Sequence, residues 1–410
     1  MKCCLIGETL KHSLSKPLHN KMGGYSYELV EVAQDKLNEF VALKQFDAYN
    51  VTIPYKSQII PMLDEVSGLA KQIGAVNTVV AKNGKLYGFN TDFYGMRYLI
   101  RSAGFDFVNK KIMILGSGAT SKTAKSVAKS LGASEVYIVS RTGEINYENC
   151  HNLKVDYIIN TTPVGTYPNQ DVSPIDLTRF ENILGVVDVL YNPLKTKLMF
   201  DASELNIKSV GGLKMLVAQA KYARDLFLGN EIVDAKVDDV IEKLYLDLVR
   251  ETENIVLIGM AGCGKSTLGK LLAYSLNKNF VDTDQLIEEK AGITIPEIFE
   301  KYGEEYFRKI ERDVLKETSL LRNTVIATGG GVVVNKDNKF LLKCCAKVVW
   351  LKRDLEKLEM KGRPLYKSSE SKINLYKERE SLYNDFADII VLNNDDINNT
   401  LKKVVELCEY

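Results

Sequence analysis

The chain has little of what several common protein classes require. Its 410 residues hold no run of about eighteen apolar residues, so no membrane-spanning helix is expected. The first residues, Met1-Lys-Cys-Cys-Leu-Ile-Gly7, lack the apolar segment and small-residue cleavage site of a secretory leader, and the expected compartment is the cytoplasm. Charge of one sign is missing: 54 Lys and Arg against 53 Asp and Glu leave a net charge of +1. No global field therefore draws the chain to nucleic acid or to a membrane surface. Histidine is scarce. His12, His19 and His151 are the only three, too few for a histidine-based metal site without other ligand types. The seven cysteines form no C-x-x-C and are odd in number. Cys3-Cys4 and Cys344-Cys345 lie in apolar, strand-like runs, which reads as buried, reduced thiols. Repeats, low-complexity tracts and coiled-coil heptads are all absent, and a homodimer is compatible with the chain without being called for. What is present, 45% hydrophobic and 26% charged residues, is the make-up of a soluble globular protein. The length asks for two or three domains.

The strongest single feature is Gly259-Met-Ala-Gly262-Cys263-Gly264-Lys265-Ser266-Thr267. It follows the apolar run Ile255–Ile258 and precedes a helix-like segment through Leu276. Strand, glycine loop, Lys-Ser and helix make a phosphate-cradling loop in its required context. Its backbone N–H groups and the helix N-terminus meet the phosphates. Lys265 is expected to neutralise the β- and γ-phosphates, and Ser266 to ligate Mg²⁺. Cys263 reads as a small loop-filler. Residues 250–254, Arg-Glu-Thr-Glu-Asn, contain no Gly, Pro or Ser, so a short charged joint is expected before this segment rather than a flexible tether.

Upstream, strands and helices alternate. Lys111–Leu115, Glu135–Val139, Tyr157–Asn160 and Gly185–Leu190 read as buried parallel strands, and Ala119–Leu131 as a helix. Leu213, Leu216, Val217 and Ala220 recur at helical spacing, as do Ile232, Ala235, Val240, Ile241 and Leu244. Gly116-Ser117-Gly118-Ala119-Thr120-Ser121 falls between a strand and a helix, as a dinucleotide-binding turn does, although the last glycine of G-x-G-x-x-G is absent. The next strand ends in Ser140-Arg141-Thr142. An arginine there can pair with a 2′-phosphate, which favours NADP over NAD; a solvated strand-end charge is the other reading.

Six ordered motifs then carry a family resemblance. They are His12-Ser13-Leu-Ser15, Asn50-Val-Thr52-Ile-Pro-Tyr-Lys56, Gly74-Ala-Val-Asn77-Thr78, Gly88-Phe-Asn-Thr91-Asp92, Asp188-Val-Leu-Tyr191-Asn-Pro193 and Gly212-Leu-Lys-Met-Leu-Val-Ala-Gln219. Together they resemble shikimate dehydrogenase over roughly residues 1–245. Lys16 stands between Ser15 and Pro17, a departure from the family's pattern. The resemblance implies that Lys56 and Asp92 form the catalytic pair. It also implies that Ser13, Ser15, Thr52, Asn77, Tyr191 and Gln219, with Asp92, hold the substrate. The residue types agree: reducing a ketone leaves charge on oxygen, so a proton donor must lie within reach, and a lysine held by an aspartate can supply it.

In the last third, Asn279-Phe-Val-Asp282-Thr-Asp284, Gly303-Glu-Glu-Tyr-Phe-Arg308-Lys-Ile-Glu311, Gly329-Gly330-Gly331, Gly362-Arg363-Pro-Leu365 and Arg379 narrow the phosphate-loop class. No guanine-specific N-K-x-D segment occurs. The set resembles shikimate kinase over about residues 253–410. Carried over, Asp284, Arg308, Gly330, Gly331 and Arg379 bind shikimate, with Glu311 orienting Arg308. Asp284 acts as base, Asp282 joins Ser266 on Mg²⁺, and Arg363 reaches the ATP phosphates from a lid.

The resemblances together imply an α/β chain. An N-terminal substrate domain (1–100, with 213–245 packing back on it) would be followed by a Rossmann-like NADP domain (101–212) and a P-loop kinase domain (253–410) with a parallel sheet. The implied function is bifunctional: NADPH-dependent reduction of 3-dehydroshikimate to shikimate, then ATP-dependent phosphorylation to shikimate 3-phosphate, in aromatic amino-acid biosynthesis. The implied partners are small molecules, with NADP(H), ATP and Mg²⁺ as cofactors. Alternatives are a dehydrogenase-like half that senses shikimate without catalysis, and a kinase half acting on another small hydroxylated acid. Quinate as a further dehydrogenase substrate stays open.

Overall fold

A computed structural model describes residues 1–10, 13–358, 369–394 and 396–408. His12 and Gly362–Leu365, with Arg363, lie outside the described residues. The chain divides into two compact units, Met1–Asn192 with Thr196–Leu246, and Pro193–Lys195 with Asp247–Tyr410.

The first unit opens with β1 (Lys2–Gly7), α1 (Ser15–Met22), β2 (Ser26–Glu31), α2 (Leu37–Leu43), β3 (Ala48–Val51), β4 (Glu65–Val66), α3 (Gly68–Ile73), β5 (Thr78–Lys82), β6 (Lys85–Phe89) and α4 (Thr91–Ser102). Its six strands form one mixed sheet in the order β2-β1-β3-β5-β6-β4. β1 and β3 lie inside it, and from Cys3 and Ala48 onward every side chain of both is buried. β7 (Lys111–Leu115), α5 (Ala119–Ser130), β8 (Glu135–Val139), β9 (Tyr157–Asn160), β10 (Gly185–Asp188), α6 (Lys197–Glu204) and β11 (Ser209–Gly211) follow. These strands make a five-stranded, wholly parallel sheet, β11-β10-β9-β7-β8. Its inner strands, Lys-Ile-Met-Ile-Leu, Tyr-Ile-Ile-Asn and Gly-Val-Val-Asp, are the apolar runs that a sheet covered on both faces demands. α7 (Leu213–Phe227) then packs on α4 and α1. Met96, Leu99 and Ile100 of α4 are at most 2% exposed and join one core with Ile112, Ile114 and Val127. Truncating Ile100 to alanine there costs about 2–5 kcal/mol.

α8 (Asp239–Thr252) includes residues 250–252, so most of the short charged joint is helical. It also begins later than the spacing of Ile232 and Ala235 suggests. Asp238 accepts hydrogen bonds from the N–H groups of Val240 and Ile241 at 3.0 and 3.2 Å, which caps the helix there.

The second unit comprises β12 (Asn254–Ile258), α9 (Lys265–Ser275), β13 (Asn279–Asp282), α10 (Thr283–Ala291), α11 (Ile295–Thr318), β14 (Thr324–Ala327), α12 (Asn338–Lys343), β15 (Ala346–Lys352), α13 (Ser369–Phe386), β16 (Ile389–Leu392) and α14 (Ile397–Cys408). Its sheet is parallel throughout, in the order β13-β14-β12-β15-β16. The chain leaves the fully buried β12 toward one edge and later returns to its other side. A crevice forms at the carboxyl end of β12, where such sheets take ligands. All seven cysteines are buried and unbridged. Cys344 and Cys345 occupy the turn between α12 and β15 rather than a strand.

Candidate active sites

The loop after β1 and the start of α1 bring Ser13 and Ser15 to one wall of a cavity of about 460 Å³ in the first unit. The end of β3 and the turn beyond it bring Thr52 and Lys56, β5 follows directly after Asn77, and α4 brings Asp92. Tyr191 comes from the segment after β10 and Gln219 from α7, so all eight residues line one space. Along its wall the Lys56 ammonium meets the Asp92 carboxylate at 2.6 Å, with the two side chains 15% and 10% exposed. Asn90 caps α4 by accepting from Phe93 N–H at 3.0 Å, which fixes the turn that carries Asp92.

The amide of Asn77 is locked from both sides. Its Oδ1 accepts from Thr91 N–H at 2.6 Å, and its Nδ2 donates to Thr91 Oγ1 at 3.0 Å and to Gln219 Oε1 at 3.4 Å. Behind it, Asn50 Nδ2 donates to Asn77 O and Thr78 Oγ1, while Tyr27 OH donates to Asn50 Oδ1 at 2.7 Å. Asn50 lines the cavity too. Sequence reasoning quoted Asn50 and Thr91 inside motifs but assigned them no role. Their signal lies in pairings across the fold, which no local pattern displays. Farther back, His19 is fully buried and stacked on Tyr27, and burial pushes its imidazole down to about 3. It is neutral at working pH and belongs to the packing rather than to the chemistry.

Gly116, Ser117, Gly118 and Ala119 form the turn from β7 into α5. Gly118 is the N-cap, and no side chain caps it, so the first N–H groups of α5 are available to a phosphate. Ser140, Arg141 and Thr142 follow β8, with Arg141 and Thr142 exposed. This arrangement fits a dinucleotide whose diphosphate lies on α5 and whose 2′-phosphate faces Arg141. Thr120 of α5 also lines the first cavity, so the start of α5 and the Lys56–Asp92 pair border one space.

In the second unit Gly259, Gly262 and Gly264 wrap the loop between β12 and α9. Gly259 has φ +141°, and a Cβ there would sit 2.5 Å from Leu351 O, so only glycine suits the position. Lys265 is 7% exposed and donates from Nζ to the carbonyls of Gly259 and Met260 at 2.9 Å. Ser266 and Thr267 are exposed at the start of α9, which has no side-chain cap. Ser266 Oγ donates to Asp282 Oδ2 at 2.6 Å, and Asp282 Oδ1 caps α10 through Asp284 N–H at 3.0 Å. A hydroxyl and a carboxylate so close fit Mg²⁺ held jointly with phosphate oxygens.

Beside them lies a cavity of about 420 Å³ lined by Asp282, Asp284, Arg308, Glu311, Gly330, Gly331 and Arg379, among others. Arg308 donates from Nη1 to Glu311 at 2.9 Å and from Nη2 to Glu304 at 2.8 Å. A Cβ on Gly331 would sit 2.5 Å from both terminal nitrogens of Arg308, so a bare backbone is needed for the guanidinium to lie there. Glu311 is 2% exposed, and burial raises its carboxyl above the ordinary range although Arg308 opposes the shift. Arg379 donates to Gly330 O at 3.1 Å, and Tyr383, one helical turn on, donates to the same carbonyl. Tyr383 was missed, yet its i+4 spacing from Arg379 on α13 puts it on the same face.

These geometries agree with the relatives. The model of the shikimate dehydrogenase substrate binding domain matches residues 5–79, and that of shikimate kinase matches residues 261–409. The shikimate dehydrogenase (NADP(+)) of Clostridium beijerinckii is 36% identical over 244 residues, 54% of this chain and 90% of that protein. That of Caldicellulosiruptor bescii is 35% identical over 293 residues, 63% of this chain and 98% of its own length. Among solved structures, shikimate dehydrogenase 1 from Peptoclostridium difficile superposes with a TM-score of 0.56 at 32% identity, over 60% of this chain and 97% of that one. A chorismate mutase/shikimate 5-dehydrogenase fusion protein from Clostridium acetobutylicum gives 0.57 at 33% identity, over 60% and 96%. The chain belongs to the shikimate dehydrogenase family in its N-terminal part and carries a shikimate kinase domain behind it, which makes it a bifunctional enzyme of the shikimate pathway.

Proposed function

We propose that the first cavity reduces 3-dehydroshikimate to shikimate and that the second phosphorylates shikimate to shikimate 3-phosphate. NADPH, when bound, supplies the hydride. Lys56 donates the proton that the developing alkoxide takes up, and Asp92 holds the ammonium in reach. The amides and hydroxyls of Ser13, Ser15, Thr52, Asn77, Tyr191 and Gln219 bind the ring hydroxyls and carboxylate. Arg141 pairs with the 2′-phosphate. In the second cavity Arg308 and Arg379 clamp the shikimate carboxylate, and Asp284 receives the proton of the attacking hydroxyl. Lys265 and the loop N–H groups neutralise charge on the transferring phosphoryl group, and Ser266 with Asp282 holds Mg²⁺. Arg363 would add a further positive charge over the phosphates.

The observation that carries this reading is the convergence of residues from Ser13 to Gln219 around the 2.6 Å Lys56–Asp92 contact. The domains we propose are 1–100 with 213–245 for substrate, 101–212 for NADP, and 253–410 for the kinase. The reading extends to a cytoplasmic enzyme whose partners are small molecules. Light scattering would register a homodimer as twice the chain mass.

The test supplies purified chain with 3-dehydroshikimate, NADPH, ATP and Mg²⁺ and follows products by mass spectrometry. Shikimate 3-phosphate with matched NADPH loss and ADP gain is the expected result. Accumulated shikimate would refute the kinase assignment. Untouched 3-dehydroshikimate would refute the dehydrogenase assignment and leave the first half a sensing module.

A further inference from the structure

Asp188, the last residue of β10, is fully buried, and four hydrogen bonds converge on its carboxylate. Asn160 Nδ2, at the end of β9, lies 3.1 Å from both oxygens. Leu190 N–H reaches Oδ1 at 3.0 Å, and Thr196 Oγ1 reaches Oδ2 at 2.7 Å. Leu190 N–H and the Asn160 amide can only donate, and the Thr196 hydroxyl donates here as well, a set that an ionised carboxylate satisfies in full. A neutral acid or an amide would give up one acceptor and reverse the Thr196 hydroxyl bond. Burial pushes the carboxyl up to about 6, and the converging donors keep it charged at neutral pH.

What these donors belong to gives the cluster its meaning. Asn160 Oδ1 accepts from Thr162 N–H and Oγ1 at 3.0 and 2.7 Å. Between them, Thr161 donates twice to Leu115 O, at the end of β7, and its Oγ1 borders Gly116 of the dinucleotide turn. On the other side, Leu190 is held at both ends of its peptide, by N–H to Asp188 and by C=O to Gly212 N–H at 2.8 Å. Val189, Leu190, Tyr191 and Gly212 line the first cavity. The carboxylate thus ties the strand end beside the dinucleotide turn to the segment that presents Tyr191.

We propose that Asp188 is a positioning residue of the dehydrogenase, which sets the Val189–Tyr191 segment against the substrate and couples it to the cofactor side of the cleft. The proposal rests on the reading that Tyr191 contacts shikimate. The test is steady-state NADP⁺ reduction by shikimate in the full chain, with the thermal unfolding curve of the same sample as the measure of intact protein. Asp188→Asn is expected to raise KM for shikimate about tenfold, with kcat changed less than threefold. Tyr191→Phe should raise the same KM, and the double variant should be no worse than the poorer single one. Should Asp188→Asn fail to fold, Thr196→Val carries the test: it removes one donor and should raise KM several-fold, while Thr196→Ser restores the wild-type value. Unchanged KM in both Asp188→Asn and Thr196→Val overturns the proposal, as does strict additivity with Tyr191→Phe. If Tyr191→Phe alone leaves KM unchanged, the substrate role of Tyr191 fails, and the inference falls with it.

Discussion

Replacing Lys56 with alanine removes the only ammonium that touches Asp92 among the described contacts, in a pair whose atoms lie 2.6 Å apart. Two losses follow. A positioned proton donor contributes roughly 10²–10⁴ to a rate of this kind, which is about 3–5 kcal/mol of barrier. The carboxylate left behind also loses its counter-ion. With Asp92 10% exposed at a cavity wall, solvent relieves part of the roughly 3–5 kcal/mol seen when a buried pair is broken, so about 1–3 kcal/mol falls on stability or substrate affinity. The expected outcome is a kcat for shikimate-dependent NADP⁺ reduction lowered by roughly 10²–10⁴, with ATP-dependent phosphorylation in the same sample within twofold of wild type. Because one pair carries both terms, Lys56→Ala with Asp92→Ala should lose little more than Lys56→Ala alone. NADPH absorbance reads the first activity, and ADP release reads the second. A Lys56→Ala enzyme whose kcat stays within threefold would refute the role of Lys56, and joint loss of both activities would refute independent sites.

Lys265→Ala should act in mirror image. Kinase kcat/KM for ATP falls by roughly 10²–10³ because a charge next to the phosphates is gone, while NADP⁺ reduction persists; an unaffected kinase would contradict the phosphate role. Arg141→Ala is expected to raise KM for NADP⁺ about tenfold and to leave NAD⁺ turnover nearly unchanged, since only the 2′-phosphate loses a partner; equal effects on both cofactors would count against it. Glu253 gives a pH test of stability. Burial raises its carboxyl from the ordinary 4.5 to about 7, with Lys347 and Lys278 opposing, so the folded form binds a proton that the unfolded form has released between those values. Its contribution therefore turns unfavourable as pH climbs from about 5 to 7. Glu253→Gln should stabilise the kinase unit by about 1–3 kcal/mol at pH 8 and by nothing near pH 4, read by calorimetry; a gain independent of pH would exclude this cause.

Much of this molecule was legible because its chemistry is local in sequence. The phosphate loop declares itself within nine residues, and the parallel strands 111–115, 135–139 and 157–160 appear with the predicted bounds because buried strands are unbroken apolar runs. The Gly185–Leu190 strand ends early, at Asp188, where the side chain turns the backbone by bonding Leu190 N–H. Helical spacing misled at Ile232 and Ala235 because a capping aspartate, not apolar periodicity, decides where α8 starts. Least legible were the groups that support others. Asn50 acts through Asn77, and Asn77 meets Gln219, 142 residues away. Tyr383 reaches Gly330, 53 residues before it. Such partners are chosen by topology, and a single sequence carries no trace of the pairing.

The two cavities are proposed to take up one metabolite with different chemistry, and the difference follows from what lies next to it. In the first, the proposed contacts are neutral amides and hydroxyls around a single ion pair, and no arginine is among the described lining residues. Ketone reduction takes up one hydride and one proton and creates one transient charge on oxygen, so a local donor suffices and hydrogen bonds can read the ring. In the second, the substrate carboxylate must approach a triphosphate, and repulsion between anions in a cleft is worth several kcal/mol. Full positive charges at fixed points offset it. Arg308 is held by Glu311 and Glu304, Arg379 is tied to Gly330 O, and Lys265 lies under the loop. The buried Glu311 follows from the same need. A guanidinium in an enclosed cavity requires a counter-charge that also fixes its plane, and a carboxylate 2.9 Å away supplies both. The arginines therefore belong to the phosphoryl-transfer site because of its electrostatics, even though both sites are proposed to hold the same acid.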